Sequence, residues 1–267
     1  MIIKGKEIAQ KIIEGLKKEN RPDKILAAVL VGSTSSPQVA QSKSFLRQKE
    51  LMAKELGIVF ELFQFGEDIL ENDLIAEIKK ISADPEIGGI IIQLPLPKHY
   101  EQDKILAAVD PKKDVDALTP ESRKLVNPLP VEVVWDVLGI MNYELGDKAI
   151  AVIGRGFLVG KPIAEYFKDK CKKLEVFHSK SDLSNLKEFD LVISGVGKAG
   201  LIKPKMLKTG AIAIDFGYDF QDGKIKGDFD LNGAEERNIQ FTPTPGGTGP
   251  ILVAEIFKNF YKLCNGL

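Results

Sequence analysis

The chain has 267 residues, 44% of them apolar and 28% charged, the composition of a globular protein with a real core. A net charge of −1 sets up no global field for nucleic acid or an anionic membrane, so neither is expected as a partner. The two cysteines, Cys171 and Cys264, make no CxxC pair, and the two histidines, His99 and His178, lack metal-ligand spacing; neither a disulfide framework nor a metal site is expected.

The N-terminal stretch MIIKGKEIAQKIIEGLKKEN is too charged for a signal peptide, and no apolar run approaches the roughly 20 residues that span a bilayer. A cytoplasmic location is expected. The first helix is predicted over 6–18, with Ile8, Ile12, Ile13 and Leu16 on its apolar positions. A strand comes next at 25–32 (ILAAVLVG), then a short Ser/Thr-rich loop at 34–36. The next helix, 37–56, opens with Ser36 as N-cap and Pro37 at the first helical position, and stops at Gly57. Strands are predicted at 60–65 and 89–94 (GIIIQL), a rigid turn at 127–130 (NPLP), and a short helix at 131–141. Beyond it come a strand at 149–154, a helix at 158–170, strands at 174–178, 191–196 and 211–217, and a closing helix at 251–263.

Several of these strands are continuously apolar rather than alternating, as in parallel sheets covered on both faces. The alternation of strand and helix implies right-handed crossovers and a doubly wound fold. The fold class is α/β in two domains: an N-terminal α/β domain over 1–140 and a Rossmann-like parallel sheet over 141–247, with the segment 248–267 as a final helix.

The second domain begins with a cofactor signal. The run AIAVIGRGFLVG sets Gly154, Gly156 and Gly160 after a strand and before a helix, a GxGxxxG spacing that lets backbone N–H groups approach a pyrophosphate. The bland alternative is a glycine-rich turn with no ligand. The second strand ends in Phe177-His178-Ser179-Lys180, without the acid that holds a free ribose 2′-hydroxyl. Arg155, Ser179 and Lys180 suit a 2′-phosphate instead, which favours NADP over NAD, with NAD left open. Gly197, Asp215 and Gly217 come after the next strands, where open α/β sheets bind ligands, and join the cofactor set.

In the first domain three polar residues stand out. Lys49 lies four residues after Phe45 on one helix face, Gln93 ends a buried strand before a proline turn, and Asp116 sits in Lys113-Asp114-Val115-Asp116. Each has an ordinary reading: a solvated lysine, a glutamine satisfying backbone groups, a turn aspartate. They gain interest if Gln93 and Asp116 face the same cleft as the cofactor.

At this point the chain resembles the bifunctional methylene-tetrahydrofolate dehydrogenase/methenyl-tetrahydrofolate cyclohydrolase family over nearly its whole length. The resemblance is carried by GIIIQLPLP (89–97), DPKKDVDAL (110–118), IGRGFLVGKP (153–162), GVGKAGLI (195–202), IDFG (214–217) and TPTPGGTGP (242–250), in matching order and spacing. The family's Ser-x-x-Tyr-Val-x-x-Lys falls on residues 42–49, with Phe45 in place of the tyrosine and Lys49 retained. The resemblance implies that Lys49 is the key catalytic group, that Gln93 supports it and that Asp116 binds the pterin. It also implies that Phe45 and the loop Pro245-Gly246-Gly247 contact substrate, the latter lining the cleft between domains. By the same resemblance, the final helix is expected to pack back on a folate-binding N-terminal domain.

The implied activity is NADP-dependent oxidation of 5,10-methylene-tetrahydrofolate and hydrolysis of the methenyl product to 10-formyl-tetrahydrofolate. The implied setting is the one-carbon metabolism that serves purine biosynthesis, and the implied assembly a homodimer through the cofactor domain. The chain departs from the family at several places. Residues 127–132 replace Pro-Cys-Thr-Pro-x-Gly, Ala117 replaces a glycine, Gly156 stands where a phosphate-binding serine is usual, and PGGVGPMT reads PGGTGPIL, with Leu252 for threonine. Two rival readings remain at this point: another Rossmann dehydrogenase, of hydroxy-acid or shikimate type, and a degenerate relative that binds folate or nucleotide without turnover.

Overall fold

The computed structural model describes residues 1–32, 37–221 and 223–266, with the backbone alone for 37–41. In chain order the elements are α1 (Gly5–Leu16), β1 (Ile25–Val31), α2 (Pro37–Leu56), β2 (Val59–Phe65), α3 (Glu71–Ala83), β3 (Ile87–Ile92), α4 (Gln102–Leu106), α5 (Leu129–Ile140), β4 (Ala149–Ile153), α6 (Gly160–Phe167), β5 (Lys173–Phe177), β6 (Leu191–Ser194), β7 (Ile212–Asp215), β8 (Asp219–Gln221), β9 (Lys224–Lys226), β10 (Gln240–Phe241) and α7 (Thr248–Asn265). The expected N-cap Ser36 and the Ser/Thr-rich loop lie outside the described residues. Among those described, no helix is long and apolar enough to cross a membrane.

The chain folds as two compact units, each discontinuous in sequence. One holds Lys11–Leu129 and the chain from Val253 on; the other holds Met1–Gln10 and Pro130–Leu252. The sequence placed a boundary near 140, at the end of α5. The structure groups that helix with the second unit, where Trp135 packs on Tyr166 and Phe167 of α6.

The first unit is built on a three-stranded parallel sheet ordered β2-β1-β3. Its central strand, ILAAVLV, is buried from Leu26 to Val31, as a strand covered on both faces must be. At the edge, β2 leaves Val59 and Leu62 exposed. Helix α3, not singled out in the sequence, buries Leu74, Ile78 and Ile81 at helical spacing. The strand expected over 89–94 spans Ile87–Ile92: Gln93 donates its N–H to the Val29 carbonyl and the chain then turns into Pro95.

The second unit carries a five-stranded parallel sheet ordered β10-β7-β6-β4-β5. After β4 the chain builds β5 on one side, then returns to build β6 on the other. That reversal puts a topological switch point at the carboxyl ends of β4 and β6. Beneath it lies a core of Ile153, Phe177, Phe189, Val192, Ala213 and Phe241. The strands expected to run to 196 and 217 end at Ser194 and Asp215; just beyond, the Asp228 carboxylate takes the Val196 and Lys198 N–H groups and the Asp215 carboxylate takes that of Gly217. The β8–β9 hairpin and the short strand β10 had no clear sequence signal.

Candidate active site

The first unit brings Lys49, Gln93 and Asp116 together. Lys49 rides on α2 and donates from Nζ to Gln93 Oε1 at 3.1 Å. Gln93 is 9% exposed, and its Nε2 donates to the Leu94 carbonyl at 2.8 Å. That second bond fixes which end of the amide faces the lysine: the oxygen is turned to the amine. Phe45 is half-buried one helical turn from Lys49.

Electrostatics separate this lysine from the others. Burial pushes the Lys49 amine below the ordinary lysine range, against the opposing charge of Asp116. Burial likewise pushes Asp116 up to about 6, with Lys49 pulling it down and Asp114 pushing it up. Burial thus moves both groups in the direction of neutrality relative to free side chains.

Asp116 is held by its neighbours. Asp114, which the sequence passed over in favour of Asp116, is 5% exposed, and its Oδ2 accepts from Ser122 Oγ at 2.6 Å, Leu118 N at 2.9 Å and Thr119 N at 3.2 Å. Asn259 of α7 donates to the Val115 carbonyl at 2.9 Å. The turn holds Ala117 at φ 52, a left-handed conformation that costs an L-residue roughly 1–2 kcal/mol and that suits the glycine the family resemblance leads one to expect there.

The second unit holds the glycine turns. Gly154 has φ 103, open in practice only to glycine. A Cβ on Gly160 would strike the Gly154 carbonyl, so this glycine permits the close turn from β4 into α6. Gly156 differs: a Cβ there meets nothing nearer than Gly195 O at 4.0 Å. Two glycines thus shape the turn, and the third keeps space open above it. Arg155 is exposed beside it. At the end of β5, Ser181 Oγ accepts the His178 N–H at 2.9 Å and His178 Nδ1 accepts the Lys180 N–H at 3.2 Å, a tight turn that leaves Ser179 and Lys180 exposed. An open cradle at a switch point with exposed cationic side chains fits a phosphorylated dinucleotide.

The structure gives Asp215 a different task from the one expected. It is 2% exposed, and its carboxylate accepts backbone N–H groups from Gly217 at 2.7 Å and Phe229 at 2.9 Å. Burial pushes it up to about 6, while the Phe229 N–H draws it down and Asp228 pushes it up. Its own N–H donates to Thr242 Oγ1, and its carbonyl accepts from Thr248 Oγ1 at 2.8 Å. Thr248 is the residue at which PGGTGP departs from the family's valine, and its hydroxyl is used. In the loop Pro245-Gly246-Gly247, Gly246 has φ 95 and its carbonyl accepts the Gly5 N–H at 3.0 Å. Ser194, Asp228 and Thr248 gave no sequence signal, since nothing local distinguishes a buried aspartate from a turn aspartate.

Two family models cover the chain: the tetrahydrofolate dehydrogenase/cyclohydrolase catalytic domain matches residues 3–116, and the NAD(P)-binding domain of the same family matches residues 128–266. The chain belongs to the tetrahydrofolate dehydrogenase/cyclohydrolase family. It is 36% identical to the bifunctional protein FolD of Nautilia profundicola, over 98% of this chain and 96% of that one. The crystal structure of the bifunctional FolD dehydrogenase/cyclohydrolase of Campylobacter jejuni superposes with a TM-score of 0.92 at 31% identity, covering 99% and 98% of the two chains. The Trypanosoma brucei FolD enzyme, crystallised with NADP and an inhibitor, gives a TM-score of 0.90 at 25% identity, covering 99% and 97%. Membership in the tetrahydrofolate dehydrogenase/cyclohydrolase family makes the chain an oxidoreductase and hydrolase of one-carbon folate interconversion. The reading as a hydroxy-acid or shikimate-type dehydrogenase gives way.

Proposed function

We propose that Lys49 is the proton-transfer group of the hydrolytic step, with Gln93 orienting its amine and Asp116 anchoring the pterin. The observation that supports this is the bond from the Lys49 amine to Gln93 Oε1, beside a carboxyl group raised to about 6. In hydrolysis, water oxygen bonds to the methenyl carbon while a neutral Lys49 amine takes a proton from it. The carbon–nitrogen bond then breaks, and the leaving nitrogen takes the proton that Lys49 returns. The hydroxyl proton departs as the formyl carbonyl forms, so one proton is released overall. Asp116 accepts the adjacent ring N–H and exocyclic amino group of the pterin in bidentate fashion. Phe45 supplies a ring for stacking but no hydroxyl.

Oxidation of the methylene carbon asks mainly for position. The cofactor is NADP: Gly154, Gly156 and Gly160 admit its pyrophosphate, Arg155, Ser179 and Lys180 meet its 2′-phosphate, and the turns at Gly197 and Gly217 complete its site. When bound, its nicotinamide supplies the two-electron oxidant. The Pro245-Gly246-Gly247 loop contacts substrate. The protein is a cytoplasmic homodimer associating through the sheet of the second unit, whose exposed edge strand β5 supports that arrangement.

The test is an assay of purified protein with methylene-tetrahydrofolate and each nicotinamide cofactor in turn, reading reduced cofactor and methenyl product separately. Reduction of NADP in preference to NAD, followed by decay of the methenyl signal, is expected. Binding of both ligands without turnover supports a degenerate binding protein instead.

A further inference from the structure

The carboxyl ends of β6 and β7 are tied together by a residue with no assigned role. Asp228 is fully buried. Its Oδ2 accepts from Ser194 Oγ at 2.5 Å and from the Val196 N–H at 2.8 Å; its Oδ1 accepts the Lys198 N–H at 2.6 Å. The two captured amides flank Gly197, which has φ 74. Residues 196–198 are exposed, although their amides are anchored beneath them. The same carboxylate is wedged against the next turn: a Cβ on Gly217 would strike Asp228 Cγ. Main-chain bonds fix its own position, since the Asp228 carbonyl accepts the Ile202 N–H at 2.9 Å and the Gly227 carbonyl accepts the Gly200 N–H at 3.0 Å.

We propose that Asp228 is the positioning residue of the cofactor site, setting the Val196–Gly197–Lys198 turn and the Gly217 turn as one rigid surface for NADP. The proposal rests on the assignment of those turns to the cofactor. Three donors converge on one carboxylate, and a carboxylate can accept from all of them at once. An amide of the same size cannot: its NH2 would face a donor, leaving at least one of the two backbone N–H groups without its acceptor. Released from below, the turn samples several conformations, and the bound one must be selected at a cost in affinity.

Asp228→Asn and Ser194→Ala test this together, by equilibrium titration with NADP, titration with folate, and amide hydrogen exchange. For Asp228→Asn the NADP Kd is expected to rise at least roughly tenfold and the folate Kd to stay within about twofold. Exchange should quicken at Val196 and Lys198 while the β4 and β7 amides keep their protection. Ser194→Ala removes one donor and no charge, so a rise of a few-fold is expected; it carries the test if the asparagine variant does not fold. Unchanged NADP affinity in the folded variants, or equal weakening of both ligands, overturns the proposal. A wild type that binds no NADP overturns the cofactor assignment first and this proposal with it.

Discussion

Two aspartates, Asp228 in the second unit and Asp116 in the first, are used in opposite ways. In the second unit Asp228 spends its carboxylate oxygens on two backbone N–H groups and a hydroxyl and so holds a turn rigid. In the first unit burial raises Asp116 to about 6 and lowers Lys49, whose hydrogen-bond partner among the described residues is the neutral Gln93 amide oxygen. There, burial works against both charges. A buried group with its partners supplied holds a loop; one left short of partners is available for chemistry.

The sharpest way to break this contrast is Lys49→Met. If Lys49 moves protons only in hydrolysis, that step should fall by about 10²–10⁴ while NADP reduction persists, and methenyl product should accumulate in a two-wavelength assay. Next in size is Asp116→Ala. Losing a charge-assisted pair should raise the folate KM by roughly 10–100-fold and leave the NADP Kd unchanged; equal weakening of both ligands would mark Asp116 as merely structural. Gly160→Ala probes the second unit. A Cβ against the Gly154 carbonyl should cost about 1–3 kcal/mol, read as a lower Tm, with weaker NADP binding.

A smaller effect comes from pH. Asp215 is raised from 3.8 to about 6 in the folded protein, so the folded state holds its proton where the unfolded state has lost it. The contribution is full below pH 3.8 and is lost as pH rises through about 6, on the order of 2–3 kcal/mol in all. Denaturant unfolding of wild type and Asp215→Asn at several pH values should show the wild type losing ground over that window. Smallest is Phe45→Tyr, which should raise the hydrolysis rate a few-fold by restoring a hydroxyl near Lys49; an unchanged rate removes Phe45 from the account.

The sequence displayed what repeats along the chain and hid what meets across it. The apolar runs of β1, β4 and β7 and the stop of α2 before Gly57 were readable because periodicity and glycine placement are local signals. Lys49, Gln93 and Asp116 were reached through motif resemblance, since nothing in a lysine-rich helix marks one lysine as buried. The roles of Asp114, Asp228 and Thr248 were not legible. Each acts on residues four to thirty-four positions away, and an aspartate beside glycine reads as a turn until the fold shows its oxygens filled. Asp215 illustrates the converse: its position after a strand suggested a ligand contact, and the structure turns its carboxylate inward.

The most direct measurement is the titration of the Lys49 amine itself, followed by nitrogen NMR on protein labelled at lysine. The account predicts that one resonance, absent in Lys49→Met, titrates below all other lysines. It also predicts that Asp116→Asn moves that resonance lower still, because the aspartate charge is what holds the amine up. A Lys49 amine that titrates with the surface lysines, and does not respond to Asp116→Asn, would contradict it.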